Sequence, residues 1–130
     1  MSHFTIMKTR FQNLIYLERA LNKLKIHYEK KEKLLTNENL TSYQFDLIIP
    51  QSNGYDIIFS WNQEQYLLVV DISYWNQPYP IELFIDKIAQ QYAGEVILGE
   101  SKKLGFQTIK YQENLDGSNT LVLERWNKNY

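Results

Sequence analysis

Hydrophobic and polar positions alternate most clearly between Asn53 and Trp75, in the stretch NGYDIIFSWNQEQYLLVVDISYW. Ile57, Phe59 and Trp61 fall on one side of a first extended arm, and Tyr66, Leu68, Val70, Ile72 and Tyr74 on one side of a second. A period of two is that of a β-strand, whose successive side chains point to opposite faces. The polar break Asn62–Gln65 has the length of a hairpin loop. The stretch therefore predicts a β-hairpin. Its second arm is apolar on both sides from Leu67 to Val70, which predicts a central strand covered on both faces, at least locally. The arm also carries Asp71, an acid inside an apolar run.

Upstream, Ser2–Thr9 sets Phe4 and Ile6 on one side and His3, Thr5 and Met7 on the other, a short first strand. Asn13 stands where an N-cap belongs, able to accept from the free amides of a first helical turn. Leu14, Leu17, Leu21 and Leu24 follow at helical spacing with Ala20 beside them, while Glu18, Arg19, Asn22 and Lys23 make the solvent side. From Ile26 to Leu35 the pattern weakens, and the EKKEK run reads as a charged edge strand or a frayed connection. Thr36–Ser42 reads as polar loop. Tyr43, Phe45, Leu47 and Ile49 then alternate as a half-buried strand, closed by Pro50 and by the turn signal Asn53-Gly54.

Downstream, Pro78 and Pro80 flank Tyr79, and Pro80 suits the first turn of a helix. Ile81, Phe84, Ile85, Ile88, Ala89 and Tyr92 make the strongest helical stripe in the chain. Gly94 and Gly99 interrupt the chain beyond this stripe, so Val96–Leu104 is expected as a kinked or separate further helix, capped by Gly105. Phe106, Ile109 and Tyr111 suggest a strand, Asp116-Gly117 a turn, and Leu121–Trp126 a last strand pairing back. The order predicts a single α+β domain, a mostly antiparallel sheet with two or three helices packed on one face.

Composition narrows the function classes. Across 130 residues, 14 basic side chains nearly cancel 15 acidic ones, which argues against duplex DNA or an anionic membrane as partner. The absence of cysteine excludes a disulfide framework, a thiolate zinc site, a cluster held by the chain's own thiolates and a catalytic thiol. The apolar runs are too short for a transmembrane segment and no signal-peptide pattern opens the chain, so a soluble protein of a reducing compartment is expected.

Little in the chain points to catalysis. His3 and His27 lie in different elements, and no metal or other cofactor is expected; no phosphate-binding loop, dinucleotide fingerprint or nucleophile elbow occurs. Asp56 and Asp71, on neighbouring arms, could share a site that splits their pKa values, and with Arg125 they define a small-enzyme alternative. The plainer reading has Asp71 bonded locally or paired with a base such as Arg125, and Asp56 capping the turn after Gly54. The aromatic group of Trp61, Tyr74, Trp75 and Tyr79 is more informative. Tyr74, Trp75, Asn76, Gln77 and Tyr79 form a stiff amphipathic loop, a candidate protein interface, since Trp and Tyr bury much area at small entropic cost. Such aromatics also stack single-stranded RNA, although the flanks lack the Lys and Arg that a nucleic-acid backbone requires. The remaining possibility is that Trp61 and Trp75 are simply core and rim of the sheet.

Several stretches taken together resemble one family. They are Met1-Ser2-His3-Phe4, Asn53-Gly54-Tyr55-Asp56-Ile57, Trp61-Asn62, Asp71 through Tyr74-Trp75, Gln90-Gln91-Tyr92-Ala93, Gly105-Phe106, Asp116-Gly117-Ser118 and Arg125-Trp126. The family is that of the chloroplast and cyanobacterial reading frames called ycf thirty-five. Leu14–Thr36 departs most from it. The resemblance implies a compact single domain and a plastid (chloroplast, stromal) or cyanobacterial location, and it brings no activity with it. Its cyanobacterial members are often encoded near an ATPase of the AAA class, which favours a non-catalytic accessory or assembly factor that binds a protein partner.

Overall fold

The computed structural model describes residues 4–37, 40–113 and 119–125, and of these the side chains of 4–34 and 43–105. The predicted hairpin forms the middle of the molecule as β4 (Ile57–Trp61) and β5 (Tyr66–Asp71), paired antiparallel with Phe59 opposite Leu68. Its turn is built by Asn62, whose side-chain oxygen accepts from the amides of Glu64 (3.0 Å) and Gln65 (2.8 Å), and by Gln63 in the left-handed region at φ 81°. Three further strands complete an antiparallel sheet: β1 (Phe4–Phe11), β2 (Glu29–Asn37) and β3 (Leu40–Ile49), in the order β1-β5-β4-β3-β2. The charged EKKEK run is the edge strand β2, as its composition predicted. Beyond the helices, β6 (Phe106–Glu113) and β7 (Asn119–Arg125) pair as a separate two-stranded sheet.

One face of the five-stranded sheet carries Leu47, Ile49, Ile57, Phe59, Tyr66, Leu68 and Val70, all buried. Two helices cover it, α1 (Leu14–Lys23) and α2 (Ile81–Lys103). Asn13 caps α1 as expected, its side chain accepting from the Tyr16 amide at 3.2 Å. Leu17, Ala20 and Leu21 from α1 meet Ile81, Phe84 and Ile88 from α2 in the same core. The α+β expectation holds: among the described residues there are two α-helices, both on one side of the antiparallel sheet.

Four expectations are corrected. First, α2 is a single helix of 23 residues that runs through Gly94 and Gly99. Gly99 marks close packing rather than a break: a Cβ there would collide with the ring of Tyr16 on α1. The stop comes only at Gly105, in the left-handed region at φ 85°, with its amide bonded to the Lys102 carbonyl. Second, the polar stretch Thr36–Ser42 is strand where it is described. The β2–β3 ladder continues through Thr36↔Thr41 and Asn37↔Leu40, beyond the part of β3 that meets β4, and a two-stranded arm needs no apolar face. Third, β5 ends at Asp71, because the Asp71 side chain accepts from the Ser73 amide (3.1 Å) and starts a 3-10 turn over Ile72–Tyr74. Ile72 and Tyr74 therefore leave the strand's face. Fourth, among the described residues β5 is covered on one face only. Leu67 and Val69 are half-buried, and beside them on the outer face Phe4 and Ile6 of β1 are 69% and 65% exposed. The doubly apolar run reflects shielding by neighbouring strands, with no second layer among the described residues.

Candidate functional site

The candidate loop lies at the end of the sheet where β3 leaves and β5 stops. Two chain segments meet there, 50–56 between β3 and β4 and 72–80 between β5 and α2. Gln51, 7% exposed, clasps them together. Its amide nitrogen donates to the carbonyls of Tyr55 and Tyr74, and its oxygen accepts from the Asn76 backbone amide (2.8 Å) and the Gln77 side-chain amide (3.2 Å). Asn53 adds a bond from its side-chain nitrogen to the Tyr74 carbonyl (2.8 Å), and the Asn76 side chain donates to the Ser52 hydroxyl (2.8 Å). Gly54 makes the turn possible, at φ 83° with its amide on the Gln51 carbonyl. Buried backbone groups need partners, and here side chains supply them where no strand can.

Onto this frame the predicted aromatics are sorted. Tyr74, 39% exposed, stacks flat on Tyr55, with ring centres 3.7 Å apart and 2° between planes. Trp75 is half-buried, edge-on to Phe84 at 5.1 Å, with its indole N–H donating to the Tyr79 carbonyl at 2.6 Å. Tyr79, 38% exposed, has the Lys87 ammonium over its ring at 4.9 Å. The five candidate residues Tyr74, Trp75, Asn76, Gln77 and Tyr79 are thus together, in different roles. The two tyrosines present area, Trp75 wedges the loop onto the core, and the amides of Asn76 and Gln77 hold the neighbouring segment. Trp61 is not part of the group; it packs against Tyr66 (5.0 Å) at the opposite end of β4. Gln51, Asn53 and Tyr55 belong to the site and were not singled out by their sequence pattern. Only the Asn53-Gly54 turn signal and the family resemblance at Asn53-Gly54-Tyr55 pointed toward them.

The residues of the enzyme alternative fall in different surroundings. Asp71 is 4% exposed and spends one carboxylate oxygen on the Ser73 amide, Asp56 is exposed, and Arg125 ends β7 in the other sheet. His27 is exposed on the rim of a cleft of about 450 Å³ with Glu18, Asn22, Tyr28 and Lys30, while His3 lies outside the described residues. Among the described residues no group of three His, Asp or Glu side chains is placed to hold a metal, and no helix is long and apolar enough to cross a membrane. A basic cluster of Arg19, Lys102 and Lys103 lines a cleft of about 250 Å³ beside Tyr16. It sits at the C-terminal end of α2, whereas the aromatic loop sits at the N-terminal end, so this cluster lies apart from the exposed tyrosines.

A third cleft adjoins the loop directly. About 220 Å³ in volume, it is walled by Leu24 and Ile26 from the end of α1, by Pro78 and Tyr79 from the loop, and by Phe84 and Lys87 from α2. Both walls are fixed. Lys25 at φ 58° closes α1, the Ile26 amide reaches the Leu21 carbonyl at 2.9 Å, and the loop side is held by Trp75 and Gln51.

No solved structure matches the chain. Residues 20–122 match the family described as "Protein of unknown function (DUF1257)". "Uncharacterized protein ycf35" of Trieres chinensis is 62% identical over 92% of this chain and 94% of its own length. The proteins of that name from Pyropia yezoensis and Cyanophora paradoxa are 37% and 36% identical, over 98% and 97% of this chain and 99% and 98% of their own lengths. With similarity running nearly end to end, the chain belongs to the ycf35 family.

Proposed function

We propose that the protein is a non-catalytic accessory or assembly factor that recognises a protein partner through the surface Tyr74–Pro80. The observation that carries this is the rigidity of an exposed aromatic loop. Gln51 ties both segments together from beneath, yet Tyr74 and Tyr79 remain more than a third exposed. A surface ordered before binding loses little entropy when it binds, and Tyr is a favoured contact residue for its area and few rotamers. The ycf name carried by the relatives is one of plastid-encoded reading frames, which supports a plastid origin; within that organelle a stromal location is our reading.

The test compares the wild-type chain with the Tyr74→Ala/Tyr79→Ala pair. Trp75 is left in place because it packs on Phe84 and its removal would confuse binding with folding. Tagged chains are recovered from the native compartment and the co-purifying proteins identified by mass spectrometry. Loss of a specific protein from the double variant, with its thermal melting preserved, supports the reading. An unchanged partner set with a folded double variant defeats it.

A further inference from the structure

We infer that the cleft beneath Tyr79 is the anchor pocket of this surface, taking one apolar side chain from a partner segment that carries a carboxylate beside it. The inference rests on the reading of Tyr74–Pro80 as a recognition surface and names the chemistry of what it recognises.

Size comes first. Ligand pockets for drug-sized molecules and cofactors run from about 300 to 1,000 Å³. At about 220 Å³ this cleft is small for a nucleotide or a cofactor and suits a single large side chain. Lining comes second. Leu24, Ile26, Pro78 and Phe84 offer it apolar walls, and Tyr79 an aromatic one. Filling such a space with an aliphatic or aromatic group removes apolar surface from water on both partners. Interface energy concentrates in anchors of this kind, seated in pockets and ringed by polar contacts.

Charge selects the rest of the partner. Lys87 stands at the rim, its ammonium steered over the Tyr79 ring, and among the described residues no carboxylate lies within ion-pair distance of it. Lys25 is exposed on the turn between two of the wall residues, Leu24 and Ile26. Two cations beside an apolar opening favour an acidic neighbour on the incoming segment and repel a basic one. Lys30, by contrast, is already committed to Glu18 at 3.3 Å, and Lys103 to Glu100 at 3.4 Å. The pocket is also preformed, since both its walls are hydrogen-bonded in place.

The experiment is a peptide selection from a random display library against the full chain, run in parallel on the wild type, Lys87→Glu, Leu24→Trp and Tyr74→Ala. The wild type should enrich peptides with one large apolar residue next to Asp or Glu. Lys87→Glu should keep the apolar residue and switch its neighbour to Lys or Arg, and the synthetic wild-type-selected peptide should bind that variant at least tenfold more weakly by fluorescence polarisation. Leu24→Trp, which fills the cleft, should lose the peptide altogether; Lys87→Glu, at a surface position, keeps the test valid if the tryptophan disturbs folding. Enriched peptides with no acidic preference, or with one that Lys87→Glu leaves unchanged, overturn the inference. Peptides that depend on Tyr74 but on neither Leu24 nor Lys87 remove the cleft and leave the wider recognition surface standing. Peptides insensitive to all three changes remove both.

Discussion

The apolar layer under the helices and the amide clasp at the end of the sheet both fix the chain, by opposite chemistry. Under α1 and α2, Leu17, Leu21, Leu47, Ile57, Phe59, Leu68 and Ile88 are out of contact with water. Position there is set by shape and by apolar area removed from solvent. At the clasp, Gln51 and Asn53 bond the backbone of segments that have no strand partner, and the Asn76 side chain donates to the Ser52 hydroxyl. The layer is non-directional and redundant, so its sequence signal is a repeating stripe. The clasp is directional and singular, depending on one glutamine bonded to four groups. The difference explains why the first can only hold the fold, whereas the second holds a loop still and leaves its aromatics in solvent.

The sharpest way to break this comparison is to cut into the layer. Leu68 lies at the centre of β5, fully buried, and its neighbour Val69 is half-buried on the outer face. Leu68→Ala should cost about 2–5 kcal/mol in chemical denaturation, the usual range for a core leucine including its cavity. Val69→Ala should cost well under half as much. Comparable losses at the two positions would mean that the outer face is covered after all.

Next in size is a pH effect that separates the two regions. Burial, with the Asp46 carboxylate adding to it, pushes the Tyr66 phenol up from 10.0 to about 12. The fold therefore favours the neutral phenol. Its contribution is fully present below pH 10 and is lost as pH rises through 12, a difference of roughly 2–3 kcal/mol. The amides of the clasp have no proton to lose in that range. Denaturation of the wild type and Tyr66→Phe at pH 9 and pH 12 should show the phenylalanine variant gaining on the wild type by about that amount. A constant gap between the two proteins would show that the Tyr66 hydroxyl reaches water.

The clasp itself is tested at Gln51. Removing this side chain takes the Gln51 bond from the Tyr55 carbonyl and from the Asn76 amide, while the Tyr74 carbonyl keeps Asn53. A stranded buried polar group costs about 1–3 kcal/mol. Gln51→Ala should therefore destabilise less than Leu68→Ala while changing local motion more. Amide hydrogen exchange should accelerate selectively in 51–56 and 72–80, with the β4–β5 amides unchanged. Acceleration spread evenly through the sheet would make Gln51 part of the global core rather than a local fastening.

These contrasts also explain which features were legible in the sequence. The β4–β5 hairpin, the Asn13 cap, the charged edge β2 and both helical stripes were readable, because each is a local pattern whose period or cap residue is specific. Misreadings arose where long-range contact decides. Gly94 and Gly99 resemble a helix break until Tyr16 is seen against the second of them. Leu67 and Val69 resemble a doubly buried strand because flanking strands shield an open face. The loop Tyr74–Pro80 was found through its aromatics and prolines, but its partner segment was not. A glutamine after Pro50 has no pattern to mark it, and its role exists only once β3 and β5, on either side of β4, finish at the same end of the sheet.

The smallest effect expected belongs to the Tyr55–Tyr74 stack, and it carries the most information about the loop. The two rings are parallel at 3.7 Å, each about 40% exposed, and the Tyr55 phenol is raised above 10.0, chiefly by its hydrogen bond with Tyr74. A double-mutant cycle of Tyr55→Ala and Tyr74→Ala should give a coupling of about 0.5–1.5 kcal/mol, the range for an aromatic pair beyond its area burial. Ultraviolet titration should find, apart from the late Tyr66, a further raised tyrosine that returns toward its ordinary range in Tyr74→Phe. A coupling of this size fixes the Tyr74 ring without tying it to the core, so a folded chain lacking it remains available as a binding control. A loss on Tyr74→Ala as large as that of Leu68→Ala would instead make the stack an extension of the apolar layer. The distinction between a region that holds the fold and a region that presents a surface would then collapse.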